Sequence, residues 1–277
     1  MVYLDYFSTT PVDPRVLDYY CQILKKNYGN PSSVDHDFGS AAARLVKTSR
    51  ENIADLIACD PGEITFTSGA TESISLFLQG FAAAQLARLG RKIKVITSPV
   101  EHPAVLENLQ AIQAAGSIDL ATLDVDQQGR IDLNQLETLA KAGVDLICFM
   151  AVNNEIGTIY PTERIAAIAS ANRALYFCDA TQAIGKIPFT LANLPDTVAV
   201  FSGHKFYAPK GIGVLVADRS IPMKPLFYGG GQQRALRPGT INAPLIATLA
   251  YALQIACDEQ EAEARRIGAL RDLLQTE

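Results

Sequence analysis

Short runs of hydrophobic residues alternate along this chain with longer stretches in which hydrophobic residues recur three and four positions apart. The short runs are rich in Val, Ile and Phe, which favour strands, whereas the longer stretches are rich in helix-forming residues. The pattern predicts seven strands, at residues 64–67, 94–97, 120–123, 145–151, 174–178, 197–201 and 213–216. It predicts helices at residues 14–27, 38–59, 72–89, 104–115, 133–142 and 162–171, and a last helix over residues 244–277.

Strands that alternate with helices are typical of βαβ units, in which helices cover the faces of a parallel sheet. We therefore predict an α/β fold class, with a mostly parallel seven-stranded sheet and helices on both faces. The 277 residues are near the upper limit for a single hydrophobic core. We predict an amino-terminal arm at residues 1–15, one large domain at residues 16–260, and at residues 261–277 the start of a helix leading towards a small domain outside this sequence.

Composition narrows the class of protein. Hydrophobic residues make up 48% of the chain and charged residues 19%, which is typical of a soluble globular protein. There are 24 Lys and Arg against 29 Asp and Glu, a formal net charge of −5, so a nucleic-acid partner is not expected. The first ten residues do not resemble a signal peptide, and no apolar window reaches the ~20 residues that cross a bilayer. Five cysteines without a CxxC pair indicate a reducing, cytoplasmic setting, and we expect no membrane association.

Several common enzyme motifs are absent from the sequence. No GxGxxG follows a predicted strand, and Ala180 stands where a P-loop would need its first glycine before Gly185-Lys186. The three histidines form no HExxH motif, and residues 66–69 lack the first glycine of a GxSxG nucleophile elbow. The sequence therefore does not indicate dinucleotide binding, P-loop chemistry, zinc hydrolysis or a serine triad, and we predict no metal site.

Polar residues follow two predicted strands, at the sheet edge where ligands gather in open α/β folds. Asp179 directly follows the fifth predicted strand, and Lys205 lies in Ser202-Gly203-His204-Lys205 directly after the sixth. A lysine that forms a Schiff base and an aspartate that keeps a pyridine nitrogen protonated are the minimum for pyridoxal phosphate (PLP) catalysis. Thr67-Ser68-Gly69-Ala70-Thr71-Glu72 joins a strand to a helix start, whose free amides attract a phosphate. Each motif alone is equally compatible with a solvated lysine, a turn aspartate and an ordinary loop.

A glycine-rich segment, Tyr228-Gly229-Gly230-Gly231-Gln232, follows the last predicted strand. Glycine permits backbone conformations that are closed to other residues. We therefore expect the three glycines to give this loop an unusual path, and the loop is a candidate functional segment.

Eight short motifs occur together, in order, over the full length of the chain. They are Tyr3-Leu4-Asp5-Tyr6, Gly29-Asn30-Pro31-Ser32-Ser33, Thr67-Ser68-Gly69-Ala70-Thr71-Glu72-Ser73, Glu101-His102, Val152-Asn153-Asn154-Glu155-Ile156-Gly157, Asp179-Ala180-Thr181-Gln182, Ser202-Gly203-His204-Lys205 and Arg237-Pro238-Gly239-Thr240. This set resembles the cysteine desulfurases of the class V aminotransferase family. Any one motif would be weak, but their joint occurrence is specific. The resemblance implies the fold type I of PLP-dependent transferases, with residues 16–260 as the PLP-binding large domain.

The resemblance also implies roles for individual residues. Lys205 would hold PLP through a Schiff base, and Asp179 would pair with the pyridinium nitrogen. His102 would lie over the ring face and move protons, although a histidine here could instead cap a helix or fill the core. The implied catalytic residues are thus Lys205, His102 and Asp179. Asn154 and Gln182 would bind the hydroxyl side of the ring, although both could be turn residues, and the phosphate would be held by Ala70, Thr71, Ser202 and His204.

In relatives of this kind, the residue matching Thr240 reaches the phosphate of the neighbouring subunit, which implies a homodimer. Pro238 stands where the family commonly has serine, and proline removes a hydrogen-bond donor. The implied cofactor-binding set is therefore Ala70, Thr71, His102, Asn154, Asp179, Gln182, Ser202, His204, Lys205 and Thr240.

The activity that the resemblance implies is conversion of L-cysteine to L-alanine, with sulfur transfer for iron–sulfur clusters or thio-cofactors. Sulfur-acceptor or scaffold proteins would be its partners. Cysteine desulfurases use a nucleophilic cysteine on a mobile loop of a carboxy-terminal small domain, and nothing in this sequence corresponds to that loop. The cysteines lie in predicted strands or helices, where a buried thiol behaves as a small hydrophobic group, so none is assigned as the nucleophile: Cys21, Cys59, Cys148, Cys178 and Cys257.

Several alternatives stay open at this point. The chain is either a fragment of a longer enzyme or a natural short form whose own activity is in question, and the uncapped polar helix at its end favours a fragment. The cofactor site does not choose the substrate, so a selenocysteine lyase or another class V aminotransferase remains open. So does a non-catalytic dimerising module, against which Lys205 and Asp179 weigh.

Overall fold

The computed structural model describes residues 2–276. Its seven strands are β1 Ile64–Thr67, β2 Ile93–Thr97, β3 Ile118–Thr122, β4 Leu146–Cys148, β5 Leu175–Asp179, β6 Thr197–Ser202 and β7 Gly213–Val216. Its α-helices are α1 Pro14–Lys26, α2 Asp37–Ile57, α3 Ala70–Leu89, α4 Pro103–Ala114, α5 Leu133–Lys141, α6 Thr162–Ala171 and α7 Ala243–Thr276. Three short 3-10 helices lie at Pro61–Glu63, Gly203–Lys205 and Gln232–Ala235.

All seven strands form one sheet, in the order β1-β7-β6-β5-β4-β2-β3. The pairs β2/β3, β2/β4, β4/β5 and β5/β6 are parallel, whereas β7 is antiparallel to both of its neighbours. The predicted α/β fold class and mostly parallel sheet are therefore confirmed. Because only β7 is reversed, β1, β5 and β6 end at the same edge of the sheet, and β7 begins there.

Helices bury both faces of the sheet. On one face, α3 and α4 pack through a cluster that includes the fully buried Phe77 and Phe177, whose rings stack with centroids 5.2 Å apart. On the other face, β5 contributes Tyr176 and Cys178 to a larger cluster with residues of α2, α6 and α7. Neighbouring residues of β5 thus point to opposite faces, and both faces are apolar, as expected for a central parallel strand.

Strand β4 is shorter than the predicted 145–151, and the reason is local. Beyond Cys148, the backbone amides of Phe149 and Ala151 still bond to carbonyls of β5. The amide of Met150 points to the other side, where β2 has already ended, and donates to Oε2 of Glu101 at 2.9 Å. A side-chain carboxyl therefore takes the place of a sheet carbonyl there, and regular pairing stops.

Three other predictions differ in detail from the structure. Strand β3 begins at Ile118 rather than at residue 120. Helix α2 ends at Ile57 because Ala58 adopts a left-handed conformation with φ of 55°, so Cys59 lies after the helix and not in it. Asp179 is the last residue of β5, not the residue that follows it.

In the glycine-rich loop, the left-handed backbone conformations lie at residues other than the predicted glycines. None of Gly229, Gly230 and Gly231 has a positive φ. The left-handed conformations begin two positions after Gly231, with φ of 48°, 64° and 56° at Gln233, Arg234 and Ala235. The side chain of Gln233 explains how this segment is held, because it bonds both the amide and the carbonyl of Phe66 at the edge of β1.

Helix α7 runs through residue 260 without interruption. Its buried residues end at Leu253, and further along it exposes Ile267, Leu270, Leu273 and Leu274. The predicted boundary between residues 260 and 261 is not marked by a break and stays a prediction. No helix among residues 2–276 is both long and apolar enough to cross a membrane.

Candidate active site at the carboxyl edge of the sheet

A pocket of about 640 Å³ opens where β1, β5 and β6 end. Its walls come from six segments of the sequence: the amino-terminal arm, the start of α3, the loops after β2 and β4, and the segments at the ends of β5 and β6. Nine of the ten residues predicted to bind the cofactor line it, namely Ala70, Thr71, His102, Asn154, Asp179, Gln182, Ser202, His204 and Lys205. The shared carboxyl edge of the parallel strands thus brings distant motifs together.

Lys205 ends the 3-10 helix that follows β6. Its Nζ donates hydrogen bonds to the backbone carbonyls of Phe7, at 2.6 Å, and Ser8, at 2.8 Å. Burial lowers the pKa of Lys205, and the negative charge of Asp179 opposes that shift. A lowered pKa increases the uncharged fraction of the amine, and the uncharged amine is the nucleophile.

Asp179 lies at the floor of the pocket and is 7% exposed. Burial raises its pKa, while the hydrogen bond from the backbone amide of Thr181 and the nearby charges of His102 and Lys205 favour the ionised form. The backbone amide of Thr181 donates to Oδ1 at 3.0 Å. A buried carboxylate that faces cationic groups is suited to hold a protonated ring nitrogen.

His102 caps a helix and also lines the pocket. Its Nδ1 accepts a hydrogen bond from the amide of Ala104 at 3.0 Å, so it caps the amino terminus of α4. The same side chain lines the pocket. Because Nδ1 is already an acceptor, the neutral ring carries its proton on Nε2, and Nε2 is the nitrogen left for a bound molecule.

The amino terminus of α3 forms the anion-binding end of the pocket. Gly69 precedes the helix, no side chain caps it, and Ala70 and Thr71 line the pocket with their amides in the first turn. Strand β7 approaches this turn so closely that a Cβ at Gly213 would lie 2.4 Å from a backbone atom of Gly69. Only glycine fits there, and the close approach brings Ser202, paired with Gly213, beside the same turn.

An ion pair supports that helix start from outside. Glu72 accepts hydrogen bonds from Nε of Arg237 at 2.8 Å and from the amide of Ser68 at 2.7 Å. Burial opposes ionisation of Glu72, but these hydrogen bonds outweigh it and lower its pKa. The segment that carries Arg237 is thereby joined to the phosphate-binding turn.

Three predicted binding residues, Asn154, Gln182 and His204, have geometries that the sequence did not specify. Nδ2 of Asn154 donates to Oε1 of Glu155 at 2.7 Å. Gln182 donates to the carbonyl of Phe7 at 2.9 Å and accepts from Nζ of Lys186. Nδ1 of His204 lies 3.0 Å from Oγ1 of Thr9, and burial, with nearby lysine charges, lowers the pKa of His204 to about 4. Neutral His204 would therefore meet a phosphate as a hydrogen-bond donor and not as a cation.

Thr240 does not line this pocket and is exposed. That position is compatible with the predicted contact to a neighbouring subunit, which stays a prediction.

With this geometry in view, the chain can be compared with known proteins. Residues 2–270 match the family described as aminotransferase class-V. The chain belongs to the class V aminotransferase family. Members of this family are PLP-dependent enzymes, which confirms the prediction of PLP as the cofactor.

Individual relatives of this class V member are cysteine desulfurases. It is 40% identical to the mitosomal cysteine desulfurase of Trachipleistophora hominis, an alignment that covers 99% of this chain and 62% of the relative. It is 39% identical to the mitochondrial enzyme of Eremothecium gossypii, over 99% of this chain and 55% of the relative. It is 41% identical to the cysteine desulfurase IscS of Klebsiella pneumoniae, over 99% of this chain and 68% of the relative. The chain thus spans less than two thirds of the mitosomal and mitochondrial relatives.

Solved structures agree with this assignment. A NifS-like protein superposes with a TM-score of 0.92 at 40% identity, over 99% of this chain and 74% of that protein. A structure described as SspA in complex with cysteine superposes with a TM-score of 0.85 at 35% identity, over 92% of this chain and 72% of that protein. The fold of PLP-dependent transferases is therefore confirmed for this class V chain.

The pocket fits PLP by the chemistry of its residues. It offers an amine on Lys205, a buried carboxyl on Asp179 and free amides at the start of α3, which match the aldehyde, the ring nitrogen and the phosphate of PLP. It also contains a polar atom without a partner. The hydroxyl of Thr181 is buried and makes no hydrogen bond within the described residues. A buried hydroxyl of that kind costs free energy unless a bound molecule satisfies it.

Sequence reasoning gave no role to several residues of this class V pocket. Asp5, Phe7 and Ser8 of the amino-terminal arm line it, as do Thr181 and Lys210. The motifs containing Asp5 and Thr181 were visible in the sequence, but nothing in the spacing indicated that the arm would lie against Lys205. Lys186 was missed as well: burial, with the charge of Lys205, lowers its pKa to about 8, and its Nζ lies 4.9 Å from the ring centroid of Phe7.

No cysteine lines the pocket in the part of the chain that the structure describes. Cys148 and Cys178 are buried in β4 and β5, and burial raises the pKa of both thiols. Burial also raises the pKa of Cys59, to about 12, and the pKa of Cys257. Cys21 is exposed on α1. The prediction that none of the five serves as a pocket nucleophile is consistent with these positions.

Proposed function

We propose that this chain is the PLP-binding part of a cysteine desulfurase that acts on L-cysteine. The observation that carries the proposal is the convergence of Lys205, Asp179 and the start of α3 on one pocket, in a chain about 40% identical to proteins named cysteine desulfurases. A solved relative described as a complex with cysteine supports the choice of substrate class.

The proposed roles follow from the positions of the side chains. PLP, when bound, supplies an electron sink for bond cleavage at the substrate α-carbon. Lys205 binds the cofactor covalently through Nζ, for which it must release at least one of its bonds to the carbonyls of Phe7 and Ser8. Asp179 holds a proton on the ring nitrogen, because a carboxylate buried beside it favours the charged ring.

Proton movement and cofactor orientation fall to other residues. The Nε2 of His102 carries the proton of the neutral ring, so it can give that proton to a bound amino acid and take it back. The amides of Ala70 and Thr71, with Ser202, bind the phosphate and orient the ring. Asn154 and Gln182 bind the hydroxyl side of the ring. Met150 and Val152 contribute apolar wall, which excludes water from the reacting groups.

The proposal extends to partners and location. We infer that the protein works as a homodimer in which Thr240 completes the phosphate site of the partner subunit, and that sulfur passes to acceptor or scaffold proteins for iron–sulfur clusters or thio-cofactors. A cytoplasmic location is part of the proposal and rests on the five cysteines being free thiols.

The proposal can be tested with PLP-loaded protein and its Asp179→Ala variant. L-cysteine should change the visible absorption of the loaded wild-type chain saturably. Asp179→Ala should keep part of the PLP but respond to L-cysteine orders of magnitude more slowly, because the ring nitrogen loses its counter-charge. A response to L-selenocysteine but not to L-cysteine would assign a selenocysteine lyase instead. A response to amino acids without a thiol that equals the response to L-cysteine would assign another class V aminotransferase. Failure of the wild-type protein to bind PLP would indicate a non-catalytic module.

A further inference from the structure

Glu101 is a buried carboxyl that the proposed reaction does not use. It immediately precedes His102, lies in the segment between β2 and α4, and is 4% exposed. Oε1 is 2.8 Å from Oγ of the fully buried Ser98, and Oε2 accepts the amide of Met150 at 2.9 Å. Burying a carboxyl this deeply costs free energy, because its charged form loses almost all of its hydration.

These bonds join the segment that carries His102 to the end of β4. Met150, whose amide Glu101 accepts, is itself a wall of the pocket. A second tie runs in parallel, because Nδ2 of Asn153 donates to the carbonyl of Val100 at 3.2 Å. Glu101 therefore ties the segment that carries His102 to a wall of the pocket.

The charges around Glu101 differ from those around Asp179. Within residues 2–276, no lysine, arginine or histidine forms an ion pair with Glu101, and the one charged group that acts on it is the carboxylate of Asp179. Asp179, in contrast, faces His102 and Lys205. The other titratable groups that face Glu101 are thiols and phenols from the neighbouring strands and loop, which are neutral near pH 7: Cys148, Tyr160, Tyr176 and Cys178.

Two carboxyls in one buried region without enough cations do not both ionise, and the one without a cation keeps the proton. We propose that Glu101 is a positioning residue that stays protonated at neutral pH, bridges Ser98 to Met150 behind His102, and leaves Asp179 as the buried carboxylate of the pocket. Its consequence for a bound ring nitrogen rests on the proposed function, whereas the proton on Glu101 does not.

The hydrogen bonds specify where that proton sits. Oε2 accepts from the Met150 amide, so a proton on Glu101 is carried by Oε1. In the structure Oγ of Ser98 donates to Oε1, so the Ser98 hydroxyl has to turn to accept that proton. Oγ of Ser98 also accepts from the amide of Val100 at 3.4 Å. Deprotonation would reverse the Ser98 hydroxyl and place a second negative charge beside Asp179. Burial and the charge of Asp179 raise the pKa of Glu101 to about 8, although the hydrogen bonds from Ser98 and Met150 oppose the shift.

The test compares the cofactor-free wild-type chain with Glu101→Gln, a neutral side chain of the same shape. Glutamine can keep both bonds if its amide nitrogen donates to Ser98 and its oxygen accepts from Met150. Glu101 has an ordinary pKa of 4.5 when unfolded and about 8 when folded. Its contribution to wild-type stability is therefore fully present below pH 4.5 and is lost as the pH rises to about 8. As the pH rises across that window, Glu101→Gln should become more stable relative to the wild type. The ratio of their unfolding equilibrium constants should change by up to about tenfold per pH unit.

Denaturant unfolding between pH 5 and 8.5 measures this difference, and Glu107→Gln, on the exposed side of α4, controls for the substitution itself. A difference between wild type and Glu101→Gln that does not change with pH would overturn the proposal. If the variant fails to fold, infrared spectra of the wild type still test whether Glu101 is protonated. Infrared spectra of protein labelled with 13C only at glutamate should contain a carboxylic acid C=O band at pH 7, and the absence of a protonated glutamate would reject the assignment.

Discussion

Lys205 donates from Nζ to the carbonyl oxygen of Phe7, 2.6 Å away and 198 positions earlier in the chain. Gln182 donates to the same carbonyl at 2.9 Å, so two pocket residues hold the amino-terminal arm by one backbone atom. Lys205 also bonds the carbonyl of Ser8. An amine that makes two such bonds must release at least one of them to bind a cofactor covalently, which makes the identity of the attached lysine testable.

We predict that borohydride reduction of the PLP-loaded chain attaches the cofactor to Lys205. Lys205→Ala should lose the visible absorption of lysine-bound PLP and the stable adduct after reduction, because no amine remains opposite Asp179. Peptide mapping of the reduced protein locates the label. Lys141→Gln, an exposed change on α5, should leave labelling intact. Label on Lys186 or Lys210, both near the same pocket, would reassign the attachment site.

Thr181 is expected to affect cofactor binding and stability in different ways. Its buried hydroxyl has no partner within the described residues, and leaving such a group unsatisfied costs roughly 1–3 kcal/mol. Thr181→Val should therefore leave the cofactor-free chain as stable as the wild type or slightly more so. PLP affinity should fall about fivefold, the equivalent of one lost hydrogen bond of roughly 1 kcal/mol.

Equilibrium dialysis and thermal unfolding, each with and without PLP, separate these two effects. Thr181→Ser keeps the hydroxyl and serves as the matched control for affinity. A large loss of stability in cofactor-free Thr181→Val would mean that the hydroxyl has a partner within the protein, contrary to the structure.

The sequence predicted this fold well where the signal is local. The runs that became β1 and β7 and the helix α6 were placed to the residue, because apolar periodicity and β-branched residues record which positions are buried. The edge where Asp179 and Lys205 meet was predictable for the same reason, since polar residues directly follow apolar strands.

Features that depend on distant partners were not predictable. Strand β4 stops early because Glu101, from another loop, takes the amide of Met150. The reversal of β7 and the order of the strands depend on packing between segments far apart in the chain. The left-handed backbone at Gln233 is held by β1, and composition pointed to the adjacent glycines instead. Each of these needs a contact that spacing along the sequence does not record.

The ion pair of Glu72 and Arg237 should make stability depend on acid pH. The pKa of Glu72 is lowered in the fold, so its contribution is present above the ordinary value of 4.5 and is lost as the pH falls below it. With side chains only 17% and 25% exposed, the pair should contribute roughly 1 kcal/mol at pH 7. Glu72→Gln should lower the free energy of unfolding by about that amount at pH 7, and the difference should shrink towards pH 3.

Denaturant unfolding at several pH values measures this difference. The matched control is Glu261→Gln, whose partner Arg265 forms an equally short but far more exposed pair on α7, and little or no change is expected there. An equal effect of the two substitutions, or a Glu72→Gln effect that persists at pH 3, would contradict the role given to this pair.

The last prediction concerns a protein made of these 277 residues alone. A desulfurase needs a positioned thiolate to take sulfur from the bound substrate, and loss of a covalent nucleophile removes that step entirely. No described cysteine lines the pocket, and burial raises the pKa of four of the five, Cys59, Cys148, Cys178 and Cys257. We therefore expect L-cysteine to bind and change the cofactor spectrum without catalytic formation of alanine and persulfide.

Alanine measured over time, in the wild type and in each of the five Cys→Ser variants, decides the matter. Alanine accumulating over many turnovers in all six proteins would mean that sulfur leaves without a cysteine of this chain, and the prediction would be wrong. If a single substitution abolished such turnover, that cysteine would be the nucleophile. Cys21 would be the first to examine, because it is the one cysteine exposed in the described chain.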